Sequence, residues 1–206
     1  MRKTLILNLL FLVGMTANAQ KIQFGIRGGL NVSKESNHNF NVANYGPIEF
    51  GTYFRPGLNI GGLINFPTGH KFSTEIGVSY SMLGYRDKIF EDASSNEYFY
   101  AKVRSHYLTV PIVENFYLFG SSFYIELGTQ LGILLSKKTS MNNDVGYISF
   151  DGNNKTMDCA VLGGLGYRFT NYIFLDIRYL HGLTETCRLY EGGKTRNIQF
   201  SLGYLF

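Results

Sequence analysis

Eight charged side chains lie in segments where polar and small residues alternate with apolar ones, and all eight fall on the polar parity. They are Arg27, Arg55, Arg168 and Arg178, together with Glu75, Glu126, Asp158 and Asp176. Equal numbers of opposite charges on one face can pair and hydrogen-bond, which offsets the large cost of burying each charge alone. The pattern therefore predicts a salt-bridged interior. A charged path for ions or protons is the functional alternative.

The histidines form no recognisable catalytic arrangement. His38 and His70 fall in a loop and a turn, whereas His106 and His181 lie near the ends of alternating segments. No His, Ser and carboxylate share one face, as nucleophilic catalysis requires. We predict a protein with no enzymatic activity, no catalytic residues, no cofactor and no metal site. An undetected hydrolase or acyltransferase on a membrane barrel is the alternative.

The elements that must position the charges are strands, because polarity alternates with a period of two. The predicted strands cover residues 22–33, 53–66, 71–84, 100–118, 123–137, 156–169, 172–183 and 197–206. Pro111 cannot donate a hydrogen bond to a neighbouring strand. We therefore expect a bulge or an edge irregularity near Pro111, and a bulge would turn Glu114 inward.

The final segment shows the two faces most clearly. Its polar parity carries Asn197, Gln199, Ser201 and Gly203, with Leu205 as the one apolar member. Its apolar parity carries Ile198, Phe200, Leu202, Tyr204 and Phe206. A strand whose outer face meets lipid ends in this way. We predict that this segment closes a barrel by pairing with the first strand near Phe24.

The connections between strands alternate in length. Those near residues 67–70, 119–122 and 170–171 are short, and the others are long. Outer-membrane barrels have short turns at one end and long loops at the other. The prediction is an all-β fold, an eight-stranded antiparallel up-and-down transmembrane β-barrel whose narrow lumen is plugged by side chains. A narrow channel and a soluble lipocalin-like ligand-binding barrel are the alternatives; the latter would carry apolar residues inside.

The N-terminus has the features of a secretory signal peptide. Arg2 and Lys3 precede an apolar run at 5–13, and Ala17-Asn-Ala19 is a small-residue cleavage motif. We predict a signal peptide at 1–19 and a barrel domain at 20–206. Without the leader, 17 basic side chains face 15 acidic ones, a net charge of +2 that argues against nucleic acid as a partner.

Two cysteines remain in the exported chain. Cys159 begins the sixth predicted strand, and Cys187 follows the seventh. Both lie at the end with the long loops, and disulfides are allowed in exported proteins. The spacing predicts a possible disulfide between them, with two free thiols as the alternative.

Several motifs together resemble a known family. They are Phe24-Gly-Ile-Arg-Gly-Gly-Leu-Asn31, Tyr107-Leu-Thr-Val-Pro-Ile112, Tyr124-Ile-Glu-Leu-Gly128, Gly164-Leu-Gly166, Asp176-Ile-Arg-Tyr179 and Gly203-Tyr-Leu-Phe206. In order and spacing the chain resembles the PorT-like outer-membrane β-barrel family of Bacteroidetes. Its architecture is also similar to the small plugged barrels related to OmpA and OmpX.

The resemblance implies a place in the bacterial outer membrane, in contact with lipid. It also implies that Phe200, Leu202, Tyr204 and Phe206 form the signal read by the barrel-assembly machinery. PorT itself is associated with a secretion system, so an unknown extracellular or secretion-system partner is implied. The family supplies no catalytic residues. The expected role is structural or interactive, through the extracellular loops, with an accessory role in secretion as the alternative.

Overall fold

The structure of the chain is a computed structural model. It describes residues 22–36, 39–42, 46–49, 51–69, 71–90, 98–118, 122–141, 156–185 and 193–206. The predicted signal peptide lies outside these ranges, and its cleavage remains a prediction. Within the described ranges, no helix is both long enough and apolar enough to cross a membrane.

Ten strands make up the described structure. They are β1 (Gln23–Glu35), β2 (Asn39–Val42), β3 (Gly46–Glu49), β4 (Gly51–Pro67), β5 (Phe72–Phe90), β6 (Tyr98–Tyr117), β7 (Phe123–Met141), β8 (Met157–Arg168), β9 (Ile173–Glu185) and β10 (Lys194–Leu205). Eight of them close into a barrel in the order β1-β10-β9-β8-β7-β6-β5-β4, with antiparallel neighbours throughout. The predicted fold class is confirmed. The long loop predicted at 34–52 is wrong in part, because β2 and β3 pair there as a small separate sheet.

The first and last strands close the barrel as predicted. Gly25 lies opposite Leu205, and the ladder continues without interruption to Glu35 opposite Thr195. The main-chain N–H of Phe206 donates to the carbonyl of Phe24 at 2.7 Å. Closure leaves no unpaired edge, which removes the usual route to strand-mediated aggregation.

The barrel wall separates an apolar outside from a polar inside. Along β10, Asn197, Gln199 and Ser201 are buried, whereas Phe200 and Leu202 are exposed. Aromatic rings also touch one another around the short-turn end, in the pairs Phe72–Phe116, Phe123–Tyr167, Tyr167–Phe169, Tyr172–Tyr204 and Tyr204–Phe206. Such a band of rings is typical of a membrane interface.

The chain has an irregularity at Pro111 but no bulge there. The pairs between β5 and β6 stop at Ile76 opposite Ile112 and resume at Ser79 opposite Thr109. The register between β6 and β7 runs unchanged from Tyr107 to Tyr117, so Glu114 stays on the outside, where its carboxylate accepts a 2.8 Å bond from Thr74. Gly77 on β5 explains how the sheet accommodates the proline ring, because a Cβ at position 77 would lie 3.3 Å from Cγ of Pro111. The absent side chain leaves room for the ring, and the register is the same on both sides of Pro111.

Most barrel strands are longer than predicted at the long-connection end, among them three neighbours in the wall. β5 continues to Phe90, β6 begins at Tyr98 and β7 continues to Met141. The predictions stopped where apolar alternation stops, but hydrogen-bonded ladders can continue between polar strands that face water on both sides. The wall formed by these strands therefore rises above the rest of the rim.

Candidate functional site

Five buried charged residues meet in the middle of the lumen and form what we term the central charge network. They are Arg27, Glu75, Glu126, Asp176 and Arg178, and each is at most 4% exposed. They come from β1, β5, β7 and β9, which are alternate strands around the closed barrel. Strand alternation alone points all five side chains inward.

The Arg27 guanidinium joins two of the carboxylates. Its Nη1 and Nη2 donate to the two oxygens of Glu75 at 2.5 and 2.9 Å. Its Nε donates to Oδ2 of Asp176 at 3.1 Å. The guanidinium also lies 5.1 Å from the ring centre of Phe174, within cation–π range. Bidentate pairing of this kind is the strong form of arginine–carboxylate contact.

Arg178 connects the rest of the network. Its Nε and Nη2 donate to the carboxylate of Glu126 at 2.8 and 2.7 Å. The same Nη2 donates to Oε1 of Glu75 at 3.0 Å, so Glu75 is shared by both arginines. Asp176 lies 3.6 Å from Nε of Arg178. Two cations and three carboxylates thus form one continuous network with an excess of negative charge.

Glycines on the intervening strands make room for these side chains. Arg27 lies between Gly203 on β10 and Gly61 on β4. Gly164 on β8 lies opposite both Glu126 and Arg178. A Cβ at Gly164 would be 2.7 Å from a carboxylate oxygen of Glu126 and 2.8 Å from the carbonyl oxygen of Ile177.

An apolar layer closes the lumen on the short-turn side of the network. Leu63, Phe174 and Leu205 pack together there, each at most 4% exposed. This contact explains why Leu205 interrupts the polar parity of the last strand. The sequence reading missed Leu63 and Phe174 as plug residues. The available signal was that both share the polar parity with charged or amide neighbours.

A layer of amides lies on the other side of the network. Asn31 is fully buried and donates to Oγ of Ser81 at 2.8 Å. Its side-chain oxygen accepts hydrogen bonds from Asn197 at 3.2 Å and from Asn59 at 3.4 Å. A second apolar cluster of Val113, Ala160, Leu162 and Leu180 is buried on this side as well, with Leu180 opposite Asn197. The lumen is therefore filled by apolar contacts on one side of the ionic network and by amide and apolar contacts on the other.

Three of the eight predicted charges do not join the central charge network, because they lie at other heights in the barrel. Arg168 lies near the short-turn end, where its Nη2 donates to the hydroxyl of Tyr117 at 2.6 Å. Asp158 lies near the long-connection end and accepts a hydrogen bond from Thr184.

Arg55 departs furthest from its predicted place. The register between β4 and β5 shifts between Phe54 and Asn59, and this irregularity redirects the side chain. Its Nη1 donates to the carbonyl of Val103 at 2.9 Å. The charges that act on it are those of Arg86 and Arg104, both exposed on the barrel exterior.

Of the four histidines, the structure describes His106 and His181. His106 and His181 each hydrogen-bond to a tyrosine, Tyr80 and Tyr179 respectively. In the described part of the chain, no group of His, Cys, Asp or Glu side chains could hold a metal ion. His38, His70 and Cys187 lie outside the described residues, so the disulfide between Cys159 and Cys187 stays a prediction.

The number of buried charges left without a partner predicts how much each network variant lowers the free energy of unfolding. Arg178→Met leaves three buried carboxylates with one arginine, and we expect the free energy of unfolding to fall by about 3–5 kcal/mol. Asp176→Asn leaves two arginines with two carboxylates and should cost less than half as much. Urea unfolding in lipid vesicles measures both, with exposed Lys71→Met as the control. Equal losses from the two network variants would contradict the role given to the charge balance.

Gly164 and its neighbour Gly163 form a matched pair for testing the spacing. Gly164→Ala places a methyl group against Glu126 and the Ile177 backbone, and should lower the unfolding midpoint. Gly163→Ala faces outward, where the nearest atom is 3.8 Å away, and should leave the midpoint unchanged. Urea titration of both variants is the measurement. A normal midpoint for Gly164→Ala would show that the network can move aside.

Comparison with known proteins gives the chain a family. The model of the outer membrane protein beta-barrel domain matches residues 18–188. No curated protein matches the sequence. Among solved structures, Neisserial surface protein A is similar at 13% identity and a TM-score of 0.54, covering 91% of this chain and 100% of that one.

Two further structures are similar at lower scores. Ail of Yersinia pestis has 15% identity and a TM-score of 0.49, covering 91% of this chain and 100% of its own. OprG of Pseudomonas aeruginosa has 13% identity and a TM-score of 0.48, covering 89% and 95%. On the family match and the closed barrel, the chain belongs to the outer membrane protein beta-barrel domain family.

Proposed function

We propose that this protein is a closed outer-membrane barrel with a structural or interaction role and no transport or enzymatic activity. The observation that carries the proposal is the central charge network, which occupies the middle of the lumen with five buried side chains. Side chains that bind one another across the lumen take up the space that a solute would need. Other molecules would then contact the outer surface of the barrel and the end with the long connections.

The spaces on either side of the network support this reading. One, between Glu35 and Tyr107, has a volume of about 20 Å³. The other, between Arg168 and Glu75, has a volume of about 10 Å³. Each has room for about one water molecule. Among the described residues, the salt-bridged layer lies between these two small spaces.

Conductance tests the closed lumen directly. The purified protein, inserted into planar bilayers, should give no single-channel steps in salt solution, whereas a general porin inserted in the same way should conduct. Heat-modifiable gel mobility of the same preparation establishes that the barrel is folded. Reproducible steps from the folded protein would contradict the proposal and favour the narrow-channel alternative.

We also propose that export uses the leader at 1–19 and that the barrel-assembly machinery reads Phe200, Leu202, Tyr204 and Phe206. The position of Phe206 supports this. Its ring is 67% exposed, so it fills no part of the lumen. Its backbone nevertheless joins β1 at the point of closure.

A matched pair of aromatic variants tests the assembly signal. Phe206→Ala should reduce the amount of heat-modifiable barrel in the outer membrane of the expressing cell. Phe169→Ala removes a ring of similar exposure from the same aromatic band and should not. Quantitative immunoblotting of membrane fractions measures both. An equal loss in the two variants would indicate a general need for interfacial rings instead of a terminal signal.

A narrower proposal is that the partner belongs to a secretion system. It rests on the resemblance of the Tyr107–Ile112 and Gly203–Phe206 motifs to the PorT-like family. Deleting the gene in its host and measuring the release of secreted proteins would test it. Unchanged release would remove the secretion role while leaving the closed-barrel proposal intact.

A further inference from the structure

Seven cations point outward from the barrel at the long-connection end, and we call them the basic belt. They lie on six neighbouring strands, β10, β1, β4, β5, β6 and β7. Their members are Arg196, Lys34, Arg55, Arg86, Lys102, Arg104 and Lys138. Five of the seven lie on the otherwise apolar parity of their strands in the sequence. Arg55 and Lys138 lie on the polar parity, and they reach the outside because the register shifts between Phe54 and Asn59 on β4 and between His106 and Tyr107 on β6.

The belt contains like charges placed directly opposite one another. The register pairs Lys34 with Arg196, Arg86 with Lys102, and Arg104 with Lys138. Like charges opposite each other on neighbouring strands are destabilising. The net charge of the exported chain is small, so these repulsive pairs do not follow from overall composition. An anion bound at the belt would turn the repulsion into attraction.

Carboxylates that could neutralise the belt are turned away from it. Where side chains are described, Glu35 and Asp158 at this end face the lumen, and the outward Glu114 lies at the opposite end. The Arg55 guanidinium gives one Nη1 hydrogen bond to the carbonyl of Val103. Lys34 packs its Nζ 4.9 Å from the ring centre of Phe54, which holds the charge on the outer wall.

The height of the belt identifies its surroundings in a membrane. Exposed apolar side chains lie on the same outer face a few residues closer to the barrel centre, including Leu30, Leu108, Leu135 and Phe200. A strand rises about 3.4 Å per residue and tilts by roughly 40° in a barrel, so the belt begins within about 10 Å of the apolar band. This is the level of the lipid headgroups.

We propose that the basic belt binds the phosphate groups of anionic glycolipids in the outer leaflet. The arginines can form bidentate contacts with phosphate, and the lysines supply further charge. A soluble polyanion would have to approach from above, whereas the belt points sideways into the lipid layer. This binding does not depend on the lumen being closed, so it stands or falls separately from the proposed function.

Native mass spectrometry of the detergent-held, full-length protein provides the test. The probe is lipid A with two phosphates, and dephosphorylated lipid A with the same acyl chains is the reference. The wild-type protein should bind the phosphorylated probe more tightly. The double variant Arg104→Gln/Lys138→Gln should raise the apparent Kd about 25-fold, because each cation contributes roughly a fivefold change.

A second double variant controls for total charge. Lys71→Gln/Lys137→Gln removes the same charge away from the belt, because Lys71 lies at the short-turn end and Lys137 faces the ring of Tyr85 inside the barrel. It should bind the phosphorylated probe as the wild type does. Heat-modifiable mobility establishes that each variant is folded.

Three results would overturn the proposal. The first is equal binding of phosphorylated and dephosphorylated lipid A by the wild type. The second is an equal loss of affinity in the two double variants, which would show an effect of total charge. The third is displacement of the bound lipid by inositol hexakisphosphate at matched phosphate concentration, which would assign the belt to soluble polyanions.

Discussion

The narrowness of an eight-stranded cylinder is the constraint on which this structure depends. The interior is wide enough for side chains and little more, so every inward residue must fit its neighbours and satisfy its polar atoms. The chain meets this by placing long charged residues on alternate strands and glycine on strands between them, as with Arg27 beside Gly203 and Gly61. The remaining lumen layers and the closure of the wall are built around that arrangement.

The strand register that closes the barrel and the pairing within the central charge network depend on each other. A strand that slipped by one residue would turn its lumen side chains toward lipid. A slip of two would keep the faces but move Arg27 away from Glu75, leaving buried charges unpaired. The register that joins β1 to β10 is therefore supported by hydrogen bonds along the wall and by ionic contacts across it. The apolar contact of Leu205 with Leu63 and Phe174 adds a third constraint.

The number of barrel strands, the barrel class and the two faces were predictable because each depends on a local period of two, whereas the small β2–β3 sheet was missed. The network was predictable only as a set of candidates. Which charges meet depends on strand stagger, so Asp158 and Arg168 share the inward parity but lie at other heights. The direction of the Arg55 side chain could not be predicted from alternation along the strand, because the irregularity after Phe54 redirects it. The register of β6 is unchanged across Pro111 because Gly77 leaves room for the ring, and this neighbour becomes visible only once the strands are aligned.

The shared space around Gly164 has a consequence for how this barrel can change over evolutionary time. One absent Cβ accommodates side chains from both β7 and β9, so positions 126, 164 and 178 are constrained to vary as a unit. A larger residue at 164 would require a shorter acid or a shorter cation in the same lineage. The exposed positions beside them are not coupled in this way, so substitutions should accumulate on the outer wall faster than in the lumen.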